Sequence, residues 1–192
     1  MEKTRGNSAL QVTVEGAIIV AFAMALTYLP HTTGVSAVEF SYGLVPVTVF
    51  GFRRGFGPAT LAGLTWGMLD LILRGLGNGG VLNPLQGFIE YFIAFALIGI
   101  AGLGSNLVQN NLRHKKNVII PVILFGSLGV LGKYFMHFIA GGYYWGAYAP
   151  KGMNPWMWSL IVNGGSAVAN IILVIVISLL LSSSFKRLLL PK

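Results

Sequence analysis

The sequence predicts an all-α integral membrane protein with six transmembrane helices and both termini in the cytoplasm. Three observations carry that expectation. The 192-residue chain is 55% hydrophobic, with a mean hydropathy of +0.74. Only 9% of its residues are charged, where a soluble domain carries about a quarter. Its apolar residues gather into six runs, each close to the roughly 20 residues that a helix needs to cross a bilayer. Six such spans use about 120 residues, which leaves short loops and tails and no room for a soluble catalytic or nucleotide-binding domain. The apolar content excludes intrinsic disorder, and the absence of cysteine excludes a disulfide scaffold or thiolate metal site.

Run length and polar punctuation place the spans. The first covers about 10–29 and stops at Pro30-His31-Thr32-Thr33-Gly34. The second, about 37–52, ends at Arg53-Arg54-Gly55, and the third, about 56–73, runs into the glycine-rich loop from Arg74 to Gly80. The fourth covers about 85–103, followed by a polar stretch from Ser105 to Asn117. The fifth covers about 118–140 and the sixth about 156–181, with a tail from Ser182 to Arg187. The N-terminal run is no cleavable signal peptide, because Glu15 interrupts it and it lacks a small-residue cleavage site.

Basic residues set the orientation, since cytoplasmic loops hold the Lys/Arg excess. With the N-terminus cytoplasmic, that side holds Lys3, Arg5, Arg53, Arg54, Arg113, Lys115, Lys116, Lys186, Arg187 and Lys192. The outer side holds Arg74 and Lys151, and Lys133 lies within a span. This bias explains the net charge of +8 without nucleic acid: the cations are topology signals and anchors to the lipid bilayer. Aromatic residues gather on the outer side instead, at Tyr143, Tyr144, Trp145, Tyr148, Trp156 and Trp158, as an interfacial belt does.

The polar residues within the spans carry the functional signal. Glu15, Glu39, Asp70 and Glu90 fall in or beside apolar runs, where an ionisable group costs at least ~2.5 kcal/mol and faces a cavity or a partner. Interhelical pairing or snorkelling accounts for Glu15 and Asp70, and Glu39 is open between the two readings. Glu90 is different because of the fifth span. There Lys133, His137 and Gly141 recur four apart, and Trp145 extends the row, so one helix face offers a cation, an imidazole, bare backbone and an indole. Lys133 needs an acid, and Glu90 is the expected partner. Ser159, Asn163, Ser166 and Asn170 form a second polar row on the sixth span. Such rows also bind helices together; beside the first row, this one predicts a polar pocket opening outward. Ala17, Ala21 and Ala25, four apart, provide a small-residue face for close helix approach, either within the chain or to another subunit.

Three patterns carry no site. Gly132-Lys133 lacks the glycine and the Ser/Thr of a phosphate-binding loop, having Ser127 and Tyr134 there. Gly164-Gly165-Ser166-Ala167 with His137 suggests an intramembrane serine protease, but rhomboid proteases place serine before histidine along the chain and this sequence reverses them. His31, His114 and His137 lack metal-ligand spacing.

Several runs together have a familiar order. They are Phe52-Arg53-Arg54-Gly55, Leu64-Thr65-Trp66-Gly67, Glu90-Tyr91, and Lys133 to Gly141 with its Lys–x3–His–x3–Gly spacing. Tyr148-Ala149-Pro150-Lys151-Gly152 and Ser159-Leu160-Ile161-Val162-Asn163 complete the series. Over nearly the whole chain this resembles the thiamine-specific substrate-binding subunits (S components) of energy-coupling factor (ECF) transporters. The resemblance implies that residues 1–192 form one transmembrane substrate-binding domain, multi-pass in the plasma membrane of a prokaryote. Such a subunit captures thiamine from outside, uses no cofactor and performs no chemistry. It implies as partners a transmembrane coupling subunit (EcfT) and two cytoplasmic ATPases, and reorientation in the membrane to release the vitamin.

Carried over as ligand contacts are Trp66, Glu90, Tyr91, Lys133, His137, Gly141, Trp145 and Asn163, with Ala17, Ala21 and Ala25 as the docking row. Trp158 stands where the family has a binding tyrosine and is included with the contacts, and Val35 stands where some members place a tryptophan. The chemistry of thiamine agrees: an amino group for a carboxylate such as Glu90, ring nitrogens for His137 and Asn163, and a thiazolium cation for an indole face. The alternatives are an S component for another vitamin, an intramembrane serine hydrolase, and a self-sufficient small carrier.

Overall fold

The structure, a computed structural model, describes residues 9–30 and 38–191. Lys3, Arg5, His31, Val35 and Lys192 lie outside the described residues. Six helices follow one another among those described: α1 (Ala9–Leu26), α2 (Leu44–Arg54), α3 (Phe56–Gly75), α4 (Pro84–Arg113), α5 (Ile119–Tyr143) and α6 (Pro155–Leu189). All but α2 are long and apolar enough to cross a membrane.

The second span departs most from expectation. Only its latter part is helical, and at 11 residues α2 measures about 16 Å, half a bilayer core. Yet it is the centre of the bundle: Leu44 and Val47 are fully buried and Phe50 and Phe52 nearly so. Residues 38–43 ahead of it are not helical, and backbone of that kind survives at membrane depth only where protein satisfies it. Asn170 and Ser166 of α6 do so. Ser41 N–H donates to Asn170 Oδ1 at 2.8 Å, Asn170 Nδ2 donates to the Glu39 carbonyl at 2.7 Å, and Glu39 N–H donates to Ser166 Oγ at 3.0 Å.

Two helices outrun their expected ends for one reason. The polar stretch after the fourth span continues α4 to Arg113, because Ser105, Val108 and Leu112 fall on one buried face. The expected C-terminal tail continues α6 to Leu189, where Phe185 and Leu189 close over Phe52, Val108 and Leu112. Gln109 of α4 donates to the carbonyls of Phe52 and Arg53 at 2.9 and 3.0 Å, satisfying the open C-terminus of α2. Gly55 alone joins α2 to α3, with φ of +89°, a conformation that L side chains rarely adopt.

Charged residues gather at this end of the bundle. Glu15 of α1 accepts from Arg53 Nε at 3.1 Å and from Arg54 Nε at 2.6 Å, and the Arg54 side chain is almost wholly buried. Interhelical pairing, expected for Glu15, is what the structure contains. At the opposite end the same dipeptide starts two helices. Asn83 caps α4 by accepting from Gln86 N–H at 3.0 Å, Asn154 caps α6 by accepting from Trp156 N–H at 2.8 Å, and proline follows each cap.

Candidate ligand-binding site

Near this capped end three helices widen into π-helical turns, at Leu71–Gly75 in α3, Phe88–Ile93 in α4 and Leu160–Gly164 in α6. In α3 the N–H of Leu76 reaches back five residues to the Leu71 carbonyl at 2.9 Å. Such turns occur mostly at functional sites because the extra residue re-aims neighbouring side chains. The first two border a cavity of about 340 Å³, within the range that holds small ligands (about 300–1,000 Å³).

Glu90, inside the π turn of α4, is the hub of that cavity. Its carboxylate accepts from Trp145 Nε1 at 3.0 Å and lies 3.3 Å from His137 Nδ1. The Gln86 amide donates to it as well, and Gln86 also donates to the Gly80 carbonyl at 3.2 Å and accepts from Leu82 N–H at 2.9 Å. Fully buried Gln86 thereby ties the α3–α4 loop to the carboxylate. His137 Nε2 is buried and makes no hydrogen bond within the described residues.

Lys133 does not pair with Glu90 as expected. Its ammonium donates to Ser41 Oγ at 3.2 Å and lies 5.0 and 4.7 Å from the ring centres of Phe95 and Tyr134. The segment before α2 thus provides the hydroxyl that the buried ammonium meets. Glu39 and Asp70 also line the cavity, Asp70 bound to Arg74 at 2.9 Å. Among its lining residues three acids (Glu39, Asp70, Glu90) outnumber two basic side chains (Arg74, Lys133), a formal excess of one negative charge.

Of the nine contacts proposed from the sequence, Glu90, Tyr91, Lys133, His137 and Trp145 line the cavity. Trp66, Gly141, Trp158 and Asn163 do not. Trp66 is core: its indole donates to Thr27 Oγ1 at 3.3 Å and its ring meets Phe95 edge-on at 4.8 Å, one layer behind the wall. A Cβ on Gly141 would stand 3.0 Å from Ser159 Cβ, so this glycine admits α6. Asn163 donates to the His137 carbonyl at 3.3 Å, and half-buried Trp158 lies in the first turns of α6. The second polar row therefore does not wall the pocket. Ser159 donates to the Phe138 carbonyl at 2.7 Å, while Ser166 and Asn170 hold residues 39–41. Ser166 Oγ donates to the Val162 carbonyl at 2.8 Å, while His137 Nδ1 lies against Glu90, so the two form no nucleophile–base pair.

Sequence reasoning missed Arg74, Asn78 and Phe95 in the wall and Gln86 behind Glu90. The one available signal was Gln86 four residues before Glu90, a spacing that joins side chains on a helix. Ala17, Ala21 and Ala25 are all exposed, with Ile18 and Phe22 beside them at 63% and 54%.

Comparison with known proteins decides the family. The model of the family described as "Thiamine transporter protein" matches residues 13–190. This chain belongs to the thiamine transporter protein family. It is 56% identical over 173 residues to the thiamine transporter ThiT of Lacticaseibacillus paracasei, covering 89% of this chain and 86% of that one. With the thiamine transporter ThiT of Bacillus subtilis it shares 33% identity over 149 residues, 76% of each chain. A solved structure of ThiT from Listeria monocytogenes superposes with a TM-score of 0.85 at 34% identity, covering 96% of this chain and all of that one. Membership makes the chain a multi-pass prokaryotic membrane protein of a transporter family rather than an enzyme. The all-helical architecture is the fold of the ThiT structure.

Proposed function

We propose that this chain binds thiamine in the cavity around Glu90 and serves as the S component of an ECF importer. One observation carries the reading: a carboxylate fixed by an indole, an imidazole and an amide, in a small cavity with an excess negative charge. The aminopyrimidine amino group supplies a donor to Glu90, a charge-assisted bond shorter and stronger than a neutral one. The permanent thiazolium cation matches the surplus carboxylate charge and the face of Trp145, a cation–π contact contributing ~0.5–2 kcal/mol. With Nδ1–H toward the Glu90 carboxylate, buried His137 Nε2 is an acceptor, and a ligand donor such as the hydroxyethyl hydroxyl or the second amino hydrogen gives it the partner it lacks among the described residues. Lys133 is already engaged with Ser41 and two aromatic rings, which tempers its opposition to a cationic ligand.

Coupling to a transmembrane subunit and two ATPases is supported by the small-residue row of α1. Among the described residues Ala17, Ala21 and Ala25 are exposed on the bundle surface, which leaves the row open to a partner helix. Titration of intrinsic fluorescence tests the ligand. Thiamine should change the emission saturably, and Trp145→Phe should remove most of that change, because Trp145 alone among the four tryptophans lines the cavity. Saturable binding of a different vitamin from a panel, with none of thiamine, would overturn the assignment.

A further inference from the structure

A second cavity lies at the opposite, basic end of the bundle, remote from Glu90. It measures about 260 Å³, its walls include Ile18, Ile19, Val49 and Phe50, and its charged lining residues are Arg53, Arg187 and the carboxylate Glu15. Its origin is the shortness of α2. That helix packs between α1 and the end of α6 but spans only half a bilayer core, so a trough floored by Phe50 remains between its longer neighbours. Ile18 is 63% exposed, so the trough opens sideways to the surrounding lipid.

Charge distinguishes this trough from an ordinary groove between helices. Arg53 and Arg54 share one carboxylate, Glu15, and Arg53 also donates to the carbonyls of Leu188 and Leu190 at 3.1 and 2.5 Å. Arg187 is exposed and makes no hydrogen bond or ion pair among the described residues, and Lys186 beside it is exposed too. The rim therefore carries positive charge in excess above an apolar floor. A neutral lipid would fill the trough and leave Arg187 without a counter-charge, and a free anion would meet the rim and leave the trough empty. Basic pockets between helices at a membrane interface bind anionic lipid head groups.

We propose that this trough is a binding site for an anionic phospholipid, its acyl chain along Ile18 and Phe50 and its phosphate at Arg187. The site is independent of thiamine binding. Native mass spectrometry of the full chain, purified in mild detergent, tests it with phosphatidylglycerol and phosphatidylcholine of identical acyl chains. One phosphatidylglycerol should be retained in clear preference to phosphatidylcholine. Arg187→Gln should cut that preference about fivefold, the ~1 kcal/mol of one interfacial cation. Ile18→Trp, which fills the trough, should reduce retention of both lipids, and Lys151→Gln at the other end should change neither. All three altered side chains are exposed, and helical circular dichroism checks that each variant is folded. Equal retention of the two lipids, or a preference untouched by Arg187→Gln or by Ile18→Trp, would overturn the proposal. A photo-crosslinking residue at position 18 provides the second readout in native membranes. A lipid adduct supports the site, and an adduct with a protein subunit reassigns the trough to protein docking.

Discussion

The indole of Trp145 donates a 3.0 Å hydrogen bond to the Glu90 carboxylate across the mouth of the cavity. The two residues come from different elements, Glu90 from a π turn of α4 and Trp145 from the turn that follows α5. The bond therefore joins α4 to the end of α5 and leaves the second carboxylate oxygen toward His137.

Glu90→Gln removes the charge and keeps the size. Truncating one partner of a buried charged pair commonly costs about 2–5 kcal/mol, so thiamine affinity should fall roughly 30-fold to several thousand-fold. The variant should still fold, because a neutral amide is cheaper in that setting than a carboxylate. A neutral analogue lacking the thiazolium charge and the amino group should lose less. Fluorescence titration with both ligands measures the difference, and equal losses would mean that Glu90 only organises its neighbours.

Gly80→Ala probes the loop that Gln86 ties to Glu90. A Cβ there would stand 2.5 Å from the Tyr91 hydroxyl, and that hydroxyl is 3.5 Å from the Gly80 carbonyl. The loop or the Tyr91 ring must shift, both of them at the cavity wall, and thiamine affinity should fall about tenfold, a coupling of 1–2 kcal/mol between neighbouring groups. Tyr91→Phe in the same chain removes the clashing oxygen and should recover part of the loss. If the double variant binds no better than the additive sum of its parts, the loop is held by something other than Tyr91.

Ala21→Trp addresses coupling. Ala21 is exposed and touches no wall of the Glu90 cavity, so binding by the isolated subunit should persist within about twofold while uptake by the complete transporter is abolished. Loss of both would place the row in the packing of the chain itself.

Orientation is tested on a background free of cysteine. Cysteine at Gly77 or Lys151, beside the cavity end, should react with an impermeant thiol reagent in intact cells. Cysteine at Asn110, at the basic end of α4, should not. The reverse pattern would put the cavity on the wrong face for import.

Much of the arrangement was legible because membrane chemistry is strict. Apolar run length located the five long helices and the latter part of the second span, and the cost of an ionisable group in a span singled out Glu90 and the Lys133–His137 face. What escaped was whatever depends on partners distant in the chain. The extended start of the second span is invisible to composition, since Val38 to Gly43 are compatible with helix until Asn170 offers them better hydrogen bonds. For the same reason Asn163 and Ser166 read as pocket lining: spacing gives their face, and only the packing of α5 and residues 39–41 reveals what that face meets. Lys133 found Ser41, 92 residues away, rather than the acid expected from the next span. The helical ends of α4 and α6 were misread because polar residues on their exposed faces hid the buried Val108, Leu112, Phe185 and Leu189.

Asn170→Ala tests how far that distant support reaches the cavity. Asn170 is fully buried and bonds Ser41 N–H, the Glu39 carbonyl, the Ser166 carbonyl and the Tyr134 hydroxyl. Alanine removes all of these bonds, and a buried polar group that loses its hydrogen bond costs about 1–3 kcal/mol, so thermal unfolding in detergent should occur at markedly lower temperature. The effect should also be felt at the ligand. Glu39 lines the cavity and Ser41 anchors Lys133, so release of this segment should weaken thiamine by about tenfold or more although Asn170 itself lines no part of the wall. Reduced thermal stability with unchanged affinity would show that residues 39–41 hold their place without Asn170, and that the cavity is organised from α4 and α5 alone.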